Sequence, residues 1–382
     1  MTFSFKTIGE AKISSGTRVF LAIDFNVAIV DGRVVDDYRI ERSRKTLDFL
    51  KRQGARTLLV SHRTEETATL RPVFEYLRTL YPAVFAETFA EALTLIEKAP
   101  AGSFVMLENI RKLAGEKEKK NNPAFAKELA SLADVYVNEA FSTSHRPHAS
   151  IIGVPQFLPS FAGFLFAEEV AHLSKAFNPP HPFGFLLAGA KFETKFPLVK
   201  KFLELADWVF IGGALANDLF LAKGLEIGRS KRAPEDLGFA EIANNPKVIL
   251  PVDAVTESGL VRSVKNISKI TDADDILDSG PETVAELAKK FSDTKFILWN
   301  GPLGAYETGF TEGTESLAKA IAESSAESVV GGGDTLAAIS KLKLADKFSF
   351  VSTGGGAMLD FLANGTLPGI GALEASARIM NK

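Results

Sequence analysis

Short apolar runs alternate with amphipathic stretches along the first half of the chain. The runs are hydrophobic throughout, as in strands that are buried on both faces of a sheet, and helix-like spacing of apolar residues separates almost every pair. We predict strands at residues 18–24, 57–61, 84–85, 104–107 and 135–138. Helices between consecutive strands are typical of βαβ units and therefore of a parallel sheet.

The middle of the chain is one long amphipathic stretch, residues 161–177, which a proline-rich segment at 178–182 ends. We predict a helix there that connects two domains. The alternation then restarts, with strands predicted at residues 183–187, 208–211, 248–251, 296–299, 328–330 and 348–352. The polar segment around residues 255–280 is predicted to be poor in strands, and the charged run at residues 116–120 is predicted to be a solvated loop.

This pattern predicts an α/β protein with two doubly wound, parallel-sheet (Rossmann-like) domains joined by a helix and a hinge. A length of 382 residues agrees with two domains, at about 150 residues each. We expect an N-terminal domain at residues 1–160, the interdomain helix at 161–178, a C-terminal domain at 179–365 and a tail at 366–382. In such sheets ligands bind beyond the carboxyl ends of the strands, so polar residues should cluster there.

Composition narrows the class of function. A net charge of −3 gives no basic surface for nucleic acid, and the absence of cysteine excludes thiol catalysis and cysteine-ligated metals. The first residues lack a signal peptide, and no apolar run approaches the ~18 residues of a membrane span. We therefore expect a cytoplasmic protein without membrane or nucleic-acid partners. The 30 phenylalanines, against 5 tyrosines and 2 tryptophans, indicate core packing rather than base stacking.

Polar and cationic side chains follow the predicted strands of the first half. The set comprises Asp24, Asn26, Arg39, His62, Arg63, Arg111, His145, Arg146 and His148. Arginine presents a planar fork that suits phosphate and carboxylate, so several arginines at one edge of a sheet indicate an anionic substrate. His145 and His148 have a spacing that zinc could use. No third ligand lies nearby in the sequence, however, and Arg146 would repel the metal.

Glycines and lysines follow the strands of the second half. At residues 328–335, a strand runs through Gly331, Gly332 and Gly333 into a helix that begins with Asp334 and Thr335. Bare backbone N–H groups at a helix N-terminus bind anions, and a carboxylate beside a phosphate requires a bridging cation such as Mg²⁺. The stretch taken alone is equally compatible with a glycine-rich turn in which Asp334 caps the helix.

Two lysines and a second glycine triad extend the same interpretation. Lys191 and Lys195 lie four residues apart on one predicted helical turn, and Gly354, Gly355 and Gly356 follow the last strand. The P-loop pattern G-x-x-x-x-G-K-[ST] is absent. A polyphosphate site in one domain and an arginine-rich site in the other indicate phosphoryl transfer between two bound anions, with domain closure excluding water.

These motifs together resemble the phosphoglycerate kinase family over nearly the whole chain. The matching stretches are residues 23–27, 36–40, 107–111, 136–141, 145–148, 189–191 with Lys195, 299–302, 306–307, 331–335 and 352–357. Each motif is moderately specific, but ten of them in the same order are very specific. The resemblance implies a glycolytic kinase that exchanges ATP and 3-phosphoglycerate with ADP and 1,3-bisphosphoglycerate, with Mg²⁺ and hinge bending.

The resemblance also implies a role for each matching residue. Asp24 and Asn26 bind the glycerate end of the substrate, His62, Arg63, Arg111 and Arg146 surround its phosphate, and Arg39 lies at the accepting carboxylate. Lys191, Lys195, Gly212, Gly213, Asn300, Glu307, Gly331, Gly332, Gly333, Thr335, Gly354 and Gly355 bind the nucleotide, and Asp334 binds Mg²⁺. Arg39, both lysines, Gly333 and Gly356 are the catalytic set.

Several positions depart from the family pattern. The loop after His62 is short, which leaves open whether Arg63 replaces the family's arginine. Ala188 and Ala214 stand where the family has glycine, and Thr194 stands where it has aspartate. Two alternatives therefore stay open: a non-catalytic relative that binds nucleotide or sugar phosphate, and a kinase of the same fold with another small acidic acceptor. The resemblance further implies a monomer whose C-terminal tail returns toward the first domain.

Overall fold

The computed structural model describes residues 3–117 and 122–380. The chain forms two compact units. Residues 1–171 and 364–382 make up the first unit, and residues 172–363 make up the second. Among the described residues, no helix has both the length and the apolar character needed to cross a membrane.

The first unit is built on a six-stranded parallel sheet. Its strands, with a separate hairpin, are β1 (Arg18–Ala22), β2 (Ile29–Val30), β3 (Arg33–Val34), β4 (Arg56–Val60), β5 (Ala83–Ala86), β6 (Phe104–Leu107), β7 (Val135–Asn138) and β8 (Ser160–Ala162). The sheet order is β5-β6-β4-β1-β7-β8, and β2 pairs with β3 in the hairpin. The order reverses beside β1, so the crevice of the unit opens at the carboxyl ends of β4, β1 and β7.

Helices cover this sheet because each turns an apolar stripe toward it. They are α1 (Tyr38–Arg52), α2 (Arg71–Leu77), α3 (Phe89–Lys98), α4 (Pro123–Ala130) and α5 (Phe164–Ser174), within which the boundary between the units falls. In α1, Ile40, Leu47 and Leu50 are fully buried at helical spacing. A fully buried leucine of this kind stabilises the fold by about 2 kcal/mol.

The second unit also has a six-stranded parallel sheet. The strands of this unit are β9 (Phe183–Leu187), β10 (Trp208–Ile211), β11 (Val248–Ile249), β12 (Asp253–Ser258), β13 (Val261–Asn266), β14 (Asp275–Ser279), β15 (Phe296–Asn300), β16 (Glu327–Gly331) and β17 (Phe350–Val351). The order β11-β10-β9-β15-β16-β17 reverses between β9 and β15. Its crevice therefore lies at the carboxyl ends of those two strands.

The remaining helices follow in chain order. They are α6 (Phe192–Leu205), α7 (Leu215–Ala222), α8 (Phe239–Ala243), α9 (Pro281–Phe291), α10 (Glu312–Glu323), α11 (Gly333–Lys341), α12 (Gly356–Asn364) and α13 (Pro368–Met380). The last of them, α13, belongs to the first unit. The Ser160 amide donates to the Ser376 hydroxyl at 3.1 Å, and the Gly369 amide donates to the Ser144 carbonyl at 2.9 Å.

The fold class predicted from the sequence is confirmed, since both large sheets are entirely parallel and are interleaved with helices. Phenylalanine serves the cores as expected: ten of the twelve largest fully buried side chains among the described residues are phenylalanines. In the second unit, Phe185 stacks on Phe202 with ring centroids 4.2 Å apart.

Two local predictions were wrong. The segment 255–280 holds an antiparallel sheet, β13-β12-β14, rather than a region poor in strands. Residues of β13 are alternately exposed and half-buried, so this strand lacks the apolar run by which the parallel strands are recognised. Phe161 lies in β8, and the following helix begins at Phe164 instead of 161.

Candidate active site

Asp24 is at the centre of the polar cluster in the first unit. It follows β1 and is buried. Its carboxylate accepts hydrogen bonds from the Arg39 guanidinium at 2.5 Å, from the backbone amide of Asn26 at 2.9 Å and from the Ser142 hydroxyl. Burial alone would raise the pKa of Asp24, but Arg39, His62 and Ser142 outweigh that effect and lower it. Asp24 is therefore an ionised, fixed anchor for the surrounding cations.

Asn26 is linked to the shortened loop that follows β4. The side-chain nitrogen of Asn26 donates to the Thr64 hydroxyl at 2.9 Å. The backbone amide of Thr64 donates to the side-chain oxygen of Asn26 at 3.3 Å. The Arg39 guanidinium also donates to the backbone carbonyl of Asn26 at 3.3 Å. The structure thus brings Asp24, Asn26 and Arg39 together at one strand end.

His62 and His148 are neutral near pH 7. Burial lowers the pKa of His62 to about 4, with Asp24 opposing the shift and Arg111, Arg39 and Arg146 adding to it. The same burial, next to Arg111 and Arg146, lowers the pKa of His148 to about 4. A neutral imidazole can still donate one hydrogen bond to an anion, so these residues suit substrate binding better than proton transfer.

Arg63 and Arg111 are fixed by one asparagine. The Asn109 side-chain oxygen accepts hydrogen bonds from the backbone amide of Arg63 at 3.1 Å and from the backbone amide of Arg111 at 3.2 Å. Arg63 donates to the Val27 carbonyl, and Arg111 donates to the Arg63 carbonyl at 3.2 Å. The Nε atoms of both arginines are buried without a hydrogen-bond partner among the described residues. Buried donors without partners are costly, which indicates that an anionic ligand completes this site.

Arg146 is the exposed member of the cluster. It lies after the 3-10 turn at Phe141–Thr143, and its Nε donates to His145 at 3.3 Å. Its charge acts on both His62 and Arg111, so it lies on the same side of the crevice. Within residues 3–117 and 122–380, no group of three histidine, cysteine or carboxylate side chains is arranged to hold a metal ion.

Lys195 occupies the switch point of the second unit. It is buried in the first turn of α6, and its ammonium donates to the Ala188 carbonyl at the end of β9 at 2.5 Å. Burial lowers the pKa of Lys195 to about 8, with Lys191 adding to the shift and Asp334 opposing it. Lys191 is the exposed N-cap of the same helix. The charges of Lys191 and Asp334 therefore both act on the buried Lys195 ammonium.

Glycines allow the strand ends of this unit to approach one another closely. A Cβ on Gly213, whose φ is +60°, would lie 2.5 Å from the Gly189 nitrogen. A Cβ on Gly301 would lie 2.1 Å from the Ala188 carbonyl oxygen and 2.5 Å from the Lys195 ammonium. Gly212 is packed against the ring of Phe210, where a Cβ would lie at 2.6 Å. A side chain at Gly301 would therefore collide with the Lys195 ammonium, and one at Gly213 would push the backbone at Gly189 away.

The three residues that depart from the family pattern differ in burial and in their position relative to the helices. Ala188 is fully buried, whereas Thr194 is exposed on α6. Ala214 is the half-buried N-cap of α7. Ala188 and Ala214 each add a methyl group, whereas Thr194 puts a neutral hydroxyl in place of the family's carboxylate, next to Lys195 in the sequence.

The stretch at Gly331–Thr335 joins β16 to α11 through Gly332, whose φ is +112°. Gly332 is the N-cap, and Asp334 lies inside the first turn without capping it, so the helix-cap alternative for Asp334 is wrong. The Thr335 hydroxyl is buried and has no hydrogen-bond partner among the described residues. A free carboxylate beside an unpaired hydroxyl fits Mg²⁺, which uses few protein ligands and takes the rest from phosphates and water.

The second glycine triad lies next to the first. β16 pairs with β17, and a Cβ on Gly331 would lie 3.4 Å from the Ser352 side chain. The Gly354 amide donates to the Ser352 hydroxyl at 3.1 Å, Gly355 has a φ of +53°, and exposed Gly356 begins α12. Two helix N-termini thus leave neighbouring strands side by side, with their amides available to an anion.

Asn300 and Glu307 differ in how closely they join this cluster. Asn300 ends β15, is buried, and its side-chain amide lies 3.6 Å from the Met358 sulfur and beside Gly332. Glu307 is exposed in the 3-10 turn Tyr306–Thr308. The charge of Asp334 acts on the neighbouring Tyr306, which locates the turn. Among the described residues, no hydrogen bond or ion pair joins Glu307 itself to Lys191 or Lys195.

Sequence reasoning missed several residues of the first cluster. Asn109 lies within the motif at residues 107–111, and Ser142 directly follows the motif at residues 136–141, so their positions were a usable signal. Glu116 was expected in a solvated, charged loop, and that was wrong: it is buried against Ser150. Residues 118–120 of the same charge run lie outside the described residues.

Comparisons with known proteins agree with this geometry. The family model described as "Phosphoglycerate kinase" matches residues 10–365. A phosphoglycerate kinase of Herpetosiphon aurantiacus is 38% identical over 383 residues, covering 94% of this chain and 97% of the relative. The structure of phosphoglycerate kinase from Coxiella burnetii superposes with a TM-score of 0.81 at 35% identity, covering 98% of this chain and 100% of the other. That from Pyrococcus horikoshii gives a TM-score of 0.87 at 29% identity, covering 98% and 99%.

Proposed function

The chain belongs to the phosphoglycerate kinase family, and from that premise we propose how its residues carry out the family's reaction. It is a glycolytic phosphotransferase with a carboxyl group as acceptor. The reaction exchanges ATP and 3-phosphoglycerate with ADP and 1,3-bisphosphoglycerate.

The first unit, in this proposal, binds 3-phosphoglycerate. The observation that carries the assignment is the pair of buried Nε atoms on Arg63 and Arg111, which lack partners among the described residues. A phosphate has enough acceptor oxygens to satisfy both, and Arg146 and His62 supply further donors. Asp24 and Asn26 bind the glycerate end, and Arg39, held by Asp24, lies at the carboxylate that accepts the phosphoryl group.

The nucleotide binds at the crevice of the second unit. Lys191 and Lys195 bind the phosphates and the group in flight, and Asp334 holds Mg²⁺ with Thr335 beside it. The glycines Gly331, Gly332, Gly333, Gly354, Gly355 and Gly356 present backbone amides, while Gly212, Gly213 and Asn300 line the pocket. Glu307 binds the ribose. Support comes from the unpaired Thr335 hydroxyl and from the close approach of Gly213 to Gly189.

The chemistry follows from charge rather than from proton transfer. The acceptor is a carboxylate that is already ionised at pH 7, so no general base is needed, and the neutral His62 agrees with this. Catalysis then depends on alignment and on neutralising the charge that is shared by the attacking and leaving oxygens. Arg39, both lysines and the amides of Gly333 and Gly356 provide that neutralisation. Bound Mg²⁺ supplies further positive charge to the phosphate oxygens.

The proposal also covers the roles of the domains, their closure, the cellular location and the oligomeric state. Residues 1–160 form the 3-phosphoglycerate domain, 161–178 the interdomain helix, 179–365 the nucleotide domain and 366–382 the returning tail. In-line transfer requires the two domains to close. We expect a cytoplasmic monomer, and light scattering of the purified protein would test the oligomeric state.

A coupled assay with 3-phosphoglycerate and Mg-ATP tests the function. The purified protein should turn over, Arg39→Ala should abolish most activity, and Arg44→Ala should not. Arg44 lies on the same helix and pairs with Glu41, away from Asp24, so it controls for the loss of a helix arginine. ATP binding without turnover would favour a non-catalytic relative. Turnover only with another small acid would favour a kinase with a different acceptor.

A further inference from the structure

Glu116 is a buried carboxyl group that the proposed reaction does not use. It lies five residues after Arg111 and anchors two consecutive residues of a distant turn. Its backbone carbonyl accepts the Ala149 amide at 3.0 Å, one carboxyl oxygen accepts the Ser150 amide at 3.0 Å, and the other accepts the Ser150 hydroxyl at 2.6 Å. Three hydrogen bonds therefore fix this turn to the segment that follows Arg111.

The turn carries residues of the proposed anion site. His148 precedes Ala149, and its Nδ1 lies 3.6 Å from a Glu116 carboxyl oxygen. Arg146 lies two residues earlier, and its amide is held by the Thr143 carbonyl at 3.0 Å. The segment bearing Arg146 and His148 is thus tied at one end by Thr143 and at the other by Glu116.

A small cavity connects Glu116 with the substrate side. It has a volume of about 20 Å³, and its lining includes Glu116, His148, His62, Arg111 and Ser150. A space of that size holds about one water molecule. The Glu116 carboxyl group is therefore separated from Arg111 and His62 by no more than a small gap.

The charges around Glu116 come from several elements. Arg111 acts on it from the same segment, Tyr136 is coupled to it from β7, and neutral His148 faces it from the turn. Farther out, Arg146, His62 and Lys117 act on His148. Burial raises the pKa of Glu116 to about 7, with the Ser150 bonds and Arg111 opposing the shift.

We propose that Glu116 is a positioning residue for the substrate anion, holding the turn at residues 148–150 and governing how freely Arg111 can bind that anion. This inference rests on the proposed binding of 3-phosphoglycerate in the first unit. While the carboxyl group is neutral, it fixes the turn without competing for Arg111. Once it ionises, it attracts the guanidinium and weakens the hold of Arg111 on the substrate.

The test compares Glu116→Gln, Glu116→Leu and Ser150→Ala in the full-length protein. Glu116→Leu removes the acceptors, and should raise the KM for 3-phosphoglycerate on the order of tenfold while changing kcat and the KM for Mg-ATP little. Glu116→Gln keeps one acceptor for the Ser150 hydroxyl and should stay near the wild-type KM at pH 6. Ser150→Ala should give an intermediate increase. Glu139→Gln, another buried carboxyl variant of the first unit, should leave this KM unchanged.

The pH dependence separates positioning from simple structural support. The KM ratio of wild type to Glu116→Gln should rise severalfold between pH 6 and pH 8, because only the wild type gains a negative charge beside Arg111. The titration of the substrate itself cancels in this ratio. A ratio that is flat with pH, or equal losses of kcat/KM for both substrates in step with Tm, would overturn the inference.

The outcomes also distinguish a failure of the proposed function from a failure of the proposed role of Glu116. A wild-type protein that does not turn over 3-phosphoglycerate removes the proposed function and this inference with it. Normal wild-type turnover, combined with an unchanged 3-phosphoglycerate KM in Glu116→Gln and Ser150→Ala at pH 8, removes the inference alone. These two variants keep the test valid even if Glu116→Leu does not fold.

Discussion

The Arg39 guanidinium lies 2.5 Å from the Asp24 carboxylate, and both residues belong to the first unit. Asp24 is buried and also accepts a hydrogen bond from Ser142, so the arginine has a fixed partner on the wall of the crevice. A long cationic side chain that is already fixed loses less conformational entropy when an anion binds. Preorganisation of Arg39 is therefore a property of the first unit by itself.

Removal of this fixed partner should weaken substrate binding. Asp24→Asn leaves Arg39 without its anionic acceptor, and we expect the KM for 3-phosphoglycerate to rise on the order of tenfold or more. The free energy of unfolding should fall by about 2 kcal/mol at pH 7. Steady-state kinetics and urea unfolding measure the two effects, and Asp31→Asn in the exposed β2–β3 turn is the control. An unchanged KM would place Asp24 outside the substrate site.

Lys191 gives a test that separates transfer from binding. It is the exposed N-cap of α6 in the second unit, whereas the proposed acceptor site is in the first. Lys191→Ala should lower kcat on the order of 10²–10³-fold because it removes a charge that stabilises the transition state. The Kd of 3-phosphoglycerate, measured by calorimetry, should stay within about twofold, since no contact is lost in the ground state. Comparable losses in both quantities would contradict this role.

Lys195 should impose an alkaline limit on nucleotide use. Its pKa is lowered to about 8 mainly by burial, so the free enzyme loses this charge as the pH rises through that value. The kcat/KM for Mg-ATP should therefore decline above pH 8, since that parameter reports the free enzyme. Lys195→Met should be on the order of 10²-fold less active, without the same alkaline decline. Lys200→Met, an exposed lysine on the same helix, should retain the wild-type profile.

The parallel strands could be predicted closely, and the antiparallel ones could not. The bounds predicted for β7, β9 and β10 are those observed, because strands buried on both faces must be apolar along their whole length. In β13 the half-buried positions hold polar Ser263 and Lys265 while Val264 is exposed, so no apolar run or alternation marks the strand. β8 was missed because it is only three residues long and its apolar residues merge with those of α5.

The chemistry of the site was predictable from strand ends, while its internal contacts were not. Arginine, lysine and glycine at those ends carry their chemistry in their residue type, and parallel topology puts them at one edge of the sheet. Ser142 binds Asp24 across 118 positions of sequence, a pairing that no local pattern encodes. Glu116 was misjudged because a run of charges indicates exposure, whereas tertiary contacts bury this member of the run.

Asp334 should control the dependence on magnesium. Mg²⁺ in nucleotide sites is commonly bound by one or two carboxylates together with phosphate oxygens and water, and Asp334 is the carboxylate that we propose for this role. Asp334→Asn should raise the Mg²⁺ concentration for half-maximal activity on the order of tenfold. The Kd of 3-phosphoglycerate should not change. An unaltered Mg²⁺ dependence would show that the ion is held by the nucleotide and other residues; Asp346→Asn, farther along the chain, is the control.

Glu139 allows a pH test of stability that is independent of catalysis. Its carboxyl group is buried and accepts the Leu165 and Phe166 amides at 3.2 and 3.3 Å, in the first turn of α5. Burial raises the pKa of Glu139 to about 8, with hydrogen bonds from Thr46 and these amides opposing the shift. The folded protein therefore keeps a proton that the unfolded chain releases near its ordinary pKa of 4.5.

The sign of the pH effect follows from proton binding. Between pH 4.5 and 8 the folded state binds more protons at Glu139 than the unfolded state, so the contribution of this residue to stability falls as the pH rises. Glu139→Gln does not titrate, and it loses one acceptor for an α5 amide, which makes it less stable than the wild type by about 1 kcal/mol at pH 5. Its stability relative to the wild type should then rise by about 4 kcal/mol between pH 5 and pH 9. Urea unfolding at both pH values measures the change, and a constant difference would mean that Glu139 is ionised throughout.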